Sequence, residues 1–145
     1  MKACLFLIAA MSVLFVLSAT QVYAEDIHVT VNGEMLRFRD QMPVIREDRT
    51  LVPIRYVFEA LGFEVQWDNY LQTATITRPG HMIIMTVGQR VFITNGTSYY
   101  LDVPAEIIGG RIMVPLRFPL ESVGYSLTWN DYARTIEVYA RNLTD

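Results

Sequence analysis

The sequence predicts an α+β fold in which a twisted antiparallel sheet packs on two short helices. Alternating apolar patterns meet at Asn32-Gly33 and again at Asn95-Gly96. Asn-Gly between such runs indicates a hairpin, because both residues tolerate positive φ. The second observation is a repeat, since the segment that begins at Arg49 recurs without gaps from Arg111. We therefore expect one domain with a pseudo-two-fold internal repeat, its copies at about 49–80 and 111–142.

Residues 1–24 have the layout of a secretory signal peptide. Lys2 precedes an apolar run from Ala3 to Leu17, and Val22 and Ala24 are the small residues that a signal peptidase reads. The run is shorter than the ~20 residues of a membrane-spanning helix. We expect cleavage after Ala24 and secretion of a single domain at residues 25–145, with a retained membrane anchor as the alternative.

The composition of the mature chain excludes several classes of function. Lys2 and Cys4 are the only lysine and cysteine, so cleavage leaves eleven Arg against fifteen Asp and Glu, a net charge of −4. Such mild acidity provides no basic surface for nucleic acid or for an anionic membrane. Without cysteine the mature chain forms no disulfide, and its stability must come from packing.

Each copy of the repeat begins with a predicted helix of about two turns. Pro53 suits the first helical position, where its missing N–H costs nothing, and Gly62 suits the residue just past the helix end, where φ is positive. Four apolar residues between them are spaced as one buried stripe: Ile54, Val57, Phe58 and Leu61. In the second copy Pro119 falls inside the helix, so we expect that helix to be bent, shifted or shorter.

After each helix the sequence predicts a strand, a short turn and a second strand. Val65 and Trp67 in the first copy alternate so that both point to one face, as do Leu127 and Trp129 in the second. We therefore expect both tryptophans to lie in the core, where replacement by alanine costs about 3–5 kcal/mol each.

Residues suited to metal binding or nucleophilic catalysis are few. His28 and His81 stand alone, without a second ligand at metal spacing, so neither a metal nor a cofactor is predicted. The mature serines, Ser98, Ser122 and Ser126, lie outside any glycine-flanked elbow, which argues against a serine hydrolase.

Two carboxylate pairs provide the remaining catalytic hypothesis, a glycoside hydrolase: Glu59 with Glu121, or Asp68 with Asp131. Arg55 and Arg117 stand four residues before the two glutamates, a spacing that predicts an ion pair on each helix instead. We therefore predict that the chain is not an enzyme and assign no catalytic residue.

Two sets of residues are candidate ligand contacts. Arg55 and Arg117 of the repeated Pro-x-Arg could hold an anionic ligand, because guanidinium matches carboxylate and phosphate. Tyr99 and Tyr100 belong to a tyrosine-rich second half that could meet a sugar or a wall polymer, although tyrosine is also a good strand former.

The paired motif Arg-Thr-Leu-Val-Pro-Ile-Arg and Arg-Ile-Met-Val-Pro-Leu-Arg, each followed by Glu-x-x-Gly and by Trp-Asp or Trp-Asn, resembles the copper amine oxidase N-terminal-like domain. This domain is also called the stalk domain of secreted Gram-positive bacterial proteins. We interpret the signature residues as structural: Arg49, Pro53, Arg55, Glu59, Gly62, Trp67, Asp68, Arg111, Pro115, Arg117, Glu121, Gly124, Trp129 and Asn130.

The resemblance implies a non-catalytic extracellular module. In the amine oxidases the copper and the tyrosine-derived cofactor belong to a separate domain, so the resemblance carries no oxidase activity to this chain. We predict a secreted structural or protein-interaction module of the cell envelope. The alternative is a module that binds cell-wall polysaccharide or peptide. Expected partners are another secreted or wall protein, a wall polymer or a second copy of the chain, with no nucleic acid and no membrane contact after cleavage.

Overall fold

The computed structural model describes residues 26–141, so the predicted signal peptide and its cleavage site lie outside the described residues. Its helices are α1 (Ile54–Ala60) and α2 (Arg117–Glu121), and neither is long and apolar enough to cross a bilayer. The strands are β1 (His28–Val31), β2 (Glu34–Met35), β3 (Val44–Arg46), β4 (Arg49–Pro53), β5 (Glu64–Asp68), β6 (Thr73–Arg78), β7 (His81–Thr86), β8 (Val91–Thr94), β9 (Thr97–Tyr100), β10 (Glu106–Ile108), β11 (Arg111–Pro115), β12 (Tyr125–Asn130) and β13 (Thr135–Ala140).

The strands form three sheets, and the two short helices make the fold α+β as predicted. The strand orders are β12-β13-β1-β2, β10-β11-β4-β3 and β5-β6-β7-β8-β9. The prediction of a single antiparallel sheet was wrong in two respects, because there are three sheets and because β1 runs parallel to β13. These two strands come from opposite ends of the described chain, so no hairpin turn forces them to be antiparallel.

Both Asn-Gly hairpins are confirmed. The first joins β1 to β2 and the second joins β8 to β9, each antiparallel. Asn32 and Gly33 have φ of 50° and 84°, and Asn95 and Gly96 have φ of 48° and 80°. Two successive residues with positive φ give the turn a twist that matches that of the strands.

The first helix buries the predicted apolar stripe. Ile54, Val57 and Phe58 are fully buried and Leu61 nearly so. The helix ends as expected at Gly62, whose φ is 84° and whose N–H donates to the carbonyl oxygen of Glu59 at 3.0 Å. Pro53 precedes the first helical residue and is the last residue of β4.

The second helix is shorter than the first, as the position of Pro119 predicted. It has five residues against seven, and it begins at Arg117, one position later than the repeat alone would place it. This start puts Pro119 in the first turn, where a helix does not use the N–H that proline lacks. The buried face is kept, because Leu116, Leu120 and Val123 are all buried.

The pairing of β4 with β11 joins the two halves of the chain and was not predicted. Its register sets Val52 opposite Val114, and the outer strands β3 and β10 extend the same sheet on either side. In β4 the adjacent residues Leu51 and Val52 are both fully buried, because they pack in different clusters on the two faces. Burial on both faces removes the alternation by which a strand is recognised in a sequence.

The prediction that Trp67 and Trp129 lie in the core was wrong. Trp67 is half-buried and Trp129 is 40% exposed, although Val65 on the same face of β5 is buried. Seven helical residues span about 10 Å, whereas the five residues of β5 span about 16 Å. The helix therefore covers only part of the strand, and the tryptophan stands at the uncovered end.

Candidate functional site

Two clefts lie beside these tryptophans, and each combines both halves of the chain. The first, of about 360 Å³, lies between the start of α1, the end of β5 and the β10–β11 hairpin, and is lined among others by Arg55, Trp67, Asn69, Gln72 and Arg111. The second, of about 440 Å³, lies between the start of α2, the end of β12 and the β3–β4 turn, and is lined among others by Arg49, Thr50, Arg117, Phe118 and Trp129.

Arg55 is held against the wall of the first cleft by two contacts. Its Nη1 donates to the backbone oxygen of Val65 at 2.7 Å and to Oε1 of Glu59 at 3.1 Å. The ion pair with Glu59 confirms the helical spacing, while the bond to Val65 ties the helix to β5. The guanidinium of Arg55 is therefore already bound at the wall of the cleft.

Arg111 reaches the first cleft from the other half of the chain. Its Nε donates to Oδ2 of Asp40 at 2.8 Å, and the hydroxyl of Tyr56 donates to Oδ1 of the same carboxylate at 3.0 Å. The hydrogen bond from Arg111, together with that from Tyr56, holds the pKa of the Asp40 carboxyl below its usual value, and the same contact raises the pKa of Arg111. The positive charge at this wall is therefore compensated.

The second cleft repeats these contacts in a looser form. Nε of Arg49 donates to Oδ2 of Asp102 at 2.7 Å, and Arg117 lies 3.8 Å from Oε1 of Glu121. The side chain of Arg117 is 53% exposed, against 37% for Arg55. Trp129 donates from Nε1 to Asp131 at 3.3 Å. The helix arginine of this cleft is therefore more exposed and less tightly paired than Arg55.

The remaining signature residues shape turns. Gly124 follows α2 with a φ of 89°, and Gly62 follows α1 with a φ of 84°. Oδ1 of Asp68 accepts hydrogen bonds from the N–H groups of Tyr70 and Leu71, and Oδ1 of Asn130 accepts one from the N–H of Ala133. These side chains close the tight turns β5–β6 and β12–β13. Pro53 and Pro115 line the first and second cleft, respectively.

The structure gives no support to the carboxylate pairs of the hydrolase hypothesis. Glu59 and Glu121 each face the arginine of their own helix, Asp68 caps its own turn, and Asp131 accepts from the Trp129 indole. None of these four carboxylates is buried. Between residues 26 and 141 no group of three or more His, Cys, Asp or Glu is placed to hold a metal ion.

Tyr99 and Tyr100 do not form one aromatic site. They are adjacent on β9 and point to opposite faces of the sheet. Tyr99 is half-buried, and its ring stacks on Phe92 with centroids 5.4 Å apart, whereas Tyr100 is 71% exposed. Neither contributes to the lining of the two clefts.

Several cleft residues were not found from the sequence. Asn69 and Gln72 lie in the turn after β5, and Asp40 and Asp102 bind the arginine of the opposite half. These contacts depend on the β4·β11 pairing, which brings together residues far apart in the chain. One signal was available, because Asp40 and Asp102 are separated by the same 62 positions as Arg49 and Arg111.

Comparison with known proteins gives one family over most of the chain. The family described as "Copper amine oxidase N-terminal domain" matches residues 30–138. A primary amine oxidase of Klebsiella aerogenes is 33% identical over 64 residues, which cover 44% of this chain and 8% of that protein.

Two further relatives carry different names. A protease inhibitor of Brevibacillus choshinensis is 27% identical over 133 residues, covering 89% of this chain and 40% of that protein. An HTH-type transcriptional regulator of Corynebacterium diphtheriae is 32% identical over 88 residues, covering 61% of this chain and 24% of that protein. The chain thus matches less than half the length of each of these relatives.

Proposed function

Because the chain belongs to the copper amine oxidase N-terminal domain family, we propose that it is a secreted, non-catalytic module of the cell envelope that binds another protein. The family is defined on the N-terminal, non-catalytic part of the oxidases. Its relatives are named as an oxidase, an inhibitor and a transcriptional regulator, so they share no single reaction. A module common to such different proteins is better explained by binding than by catalysis.

The outer face of the β5–β9 sheet carries this proposal. Met82, Val91, Ile93 and Tyr100 are 46%, 40%, 37% and 71% exposed, and Ile84 is half-buried among them. The register sets Ile84 beside Ile93 and Val91 beside Tyr100, so these side chains form one continuous surface. A contiguous exposed apolar surface of this kind is typical of protein contact sites.

We assign this face to a second secreted protein that presents its own apolar surface. The relative matched along most of this chain is named as a protease inhibitor, and a protein of that name acts on another protein. Secretion follows from the predicted signal peptide. Self-association through the same face is the competing outcome, because the apolar surface extends to Tyr100 of β9, which is an edge strand of this sheet in the part of the chain that the structure describes.

The test places a charge on the outer face. Ile93→Glu should abolish recovery of the partner from secreted proteins, because a carboxylate would be buried without a partner. Gln66→Glu is the matched control, since Gln66 lies on the same face of the sheet on strand β5 and is separated from Ile84 by Thr75 of β6. Recovery that persists in Ile93→Glu contradicts the proposal. Light scattering that shows a dimer in the wild type and a monomer in Ile93→Glu would identify the partner as a second copy.

A second candidate function is the binding of a wall polysaccharide or peptide, which is favoured by the solvent-accessible Trp67 and Trp129 in the two clefts. A pseudo-two-fold relation between the clefts is part of this candidate. It is supported by the register of Val52 with Val114, which are equivalent in the repeat, and by the reciprocal ion pairs of Arg49 and Arg111.

A further inference from the structure

We propose that the two clefts are equivalent subsites for one pyranose ring each of an uncharged polysaccharide, with Trp67 and Trp129 as the stacking platforms. This assignment rests on the second candidate function, wall-polymer binding, and specifies where and how the polymer is held. It also predicts that one molecule of the protein takes up two sugar units.

The shape of the clefts favours a single ring. At about 360 and 440 Å³ they are near the lower end of the ~300–1,000 Å³ that small-ligand pockets span. Each holds a single tryptophan, and Trp129 is 40% exposed. An indole presents a rigid, electron-rich face against which the C–H groups of a sugar ring can pack. Each tryptophan lies at the strand end that its helix leaves uncovered, and this exposure makes the indole available as a platform.

The charges of the clefts favour an uncharged ligand. Arg55 and Arg111 in the first cleft are compensated by Glu59 and Asp40. In the second cleft, Asp102 compensates Arg49 at 2.7 Å, and Glu121 lies 3.8 Å from Arg117. An anionic ligand would have to compete with these carboxylates for the guanidinium groups.

The polar side chains that line the clefts can still form hydrogen bonds with the hydroxyl groups of a sugar. A guanidinium has five donors, so Arg55 and Arg111 retain N–H groups beyond those used in their ion pairs. Gln72 donates from Nε2 to the backbone oxygen of Asn69 at 2.7 Å, which leaves its amide oxygen as an acceptor. In the second cleft, Thr50 adds a hydroxyl to the lining. Donors and acceptors beside an aromatic platform match the alternating hydroxyl and C–H surfaces of a sugar.

Intrinsic fluorescence reads each cleft separately, because the chain has only two tryptophans. Trp67→Phe leaves Trp129 as the sole indole, and Trp129→Phe leaves Trp67. We would titrate both variants with soluble oligosaccharides of glucose and of N-acetylglucosamine, and measure the stoichiometry for the wild type by calorimetry. A tetrapeptide and an anionic sugar serve as competing probes. Tyr100→Ala is the matched control, as an exposed aromatic residue outside the clefts.

The expected result is an emission change in both single-indole variants with an uncharged oligosaccharide, and two sites per molecule in the wild type. Trp67→Ala and Trp129→Ala should each lower the stoichiometry to one, or weaken the altered site at least about tenfold. Tyr100→Ala should behave as the wild type. Binding should change little between low and high salt, whereas an anionic ligand would bind more weakly at high salt.

Other results would overturn the assignment and would separate it from the candidate function. If the wild type and the double variant Trp67→Ala/Trp129→Ala sediment equally with insoluble wall polysaccharide, polymer binding stands but the clefts are rejected as its site. Sedimentation with no polymer and no emission change would reject both. A response to the tetrapeptide or to the anionic sugar alone would reject an uncharged sugar as the ligand. Circular dichroism melting of each variant ensures that only folded protein is compared.

Discussion

Replacing Trp129 with alanine distinguishes a residue of an open cleft from a residue of the core. Trp129 is 40% exposed, so about 60% of its surface is removed from water on folding. A fully buried tryptophan removes up to ~250 Å², and ~150 Å² at ~25 cal/mol per Å² corresponds to about 4 kcal/mol as an upper bound. Residual compactness of the unfolded chain lowers this by ~10–40%, to about 2–3 kcal/mol. Because the site is open, no sealed cavity adds to the loss.

Phe58→Ala is the matched control, because this side chain is fully buried and packs edge-on against Phe63 with ring centroids 5.2 Å apart. Its loss should reach about 4–5 kcal/mol, since an empty cavity remains in the core. In urea, with a slope of ~1.5 kcal/mol per M, the two midpoints should fall by about 1.5 M and about 3 M. Equal losses for the two variants, with unchanged slopes, would refute the open cleft at Trp129.

Three further predictions concern other contacts. Arg78→Ala should lower the free energy of unfolding by about 2 kcal/mol, because Arg78 donates hydrogen bonds to the Leu61 carbonyl oxygen and to the Tyr125 hydroxyl. Urea unfolding measures this loss, with the surface variant Arg39→Ala as the control. Pro119→Ala should change that free energy by less than ~1 kcal/mol, whereas Val57→Pro, at the equivalent position of α1, should cost at least ~3 kcal/mol in the same assay. Asp40, whose pKa is lowered chiefly by its hydrogen bond with Arg111, stabilises the fold above its unfolded pKa of ~3.9, and this contribution is lost as the pH falls through the folded value. The difference in urea midpoint between wild type and Asp40→Asn should therefore shrink below pH ~4, and a constant difference down to pH ~2 would contradict it.

Local signals in the sequence were sufficient for the hairpins and the first helix. Asn32-Gly33 and Asn95-Gly96 form the turns that their residue types favour, because positive φ is a property of the turn residues themselves. The stripe from Ile54 to Leu61 is buried because its spacing follows the helical period. Pro119 also acted locally, by shifting and shortening α2.

Contacts between distant parts of the chain were not predicted. The β4·β11 pairing and the parallel β1·β13 pairing join segments that no turn connects, so no local sequence pattern predicts them. The clefts depend on the β4·β11 pairing, since Arg111 of β11 lines the first cleft and Arg49 of β4 lines the second. The outer surface around Ile93 also required the register of three adjacent strands.

The sequence by itself determined the family, the local elements and the doubled motif, because these depend only on residue type and on spacing along the chain. Only the tertiary structure decided the positions of Trp67 and Trp129. Alternation along a strand specifies the face of a side chain, but its burial depends on the length of the helix laid across that face. Here each helix is shorter than its strand, so the two tryptophans that alternation assigns to the core lie at the openings of two clefts.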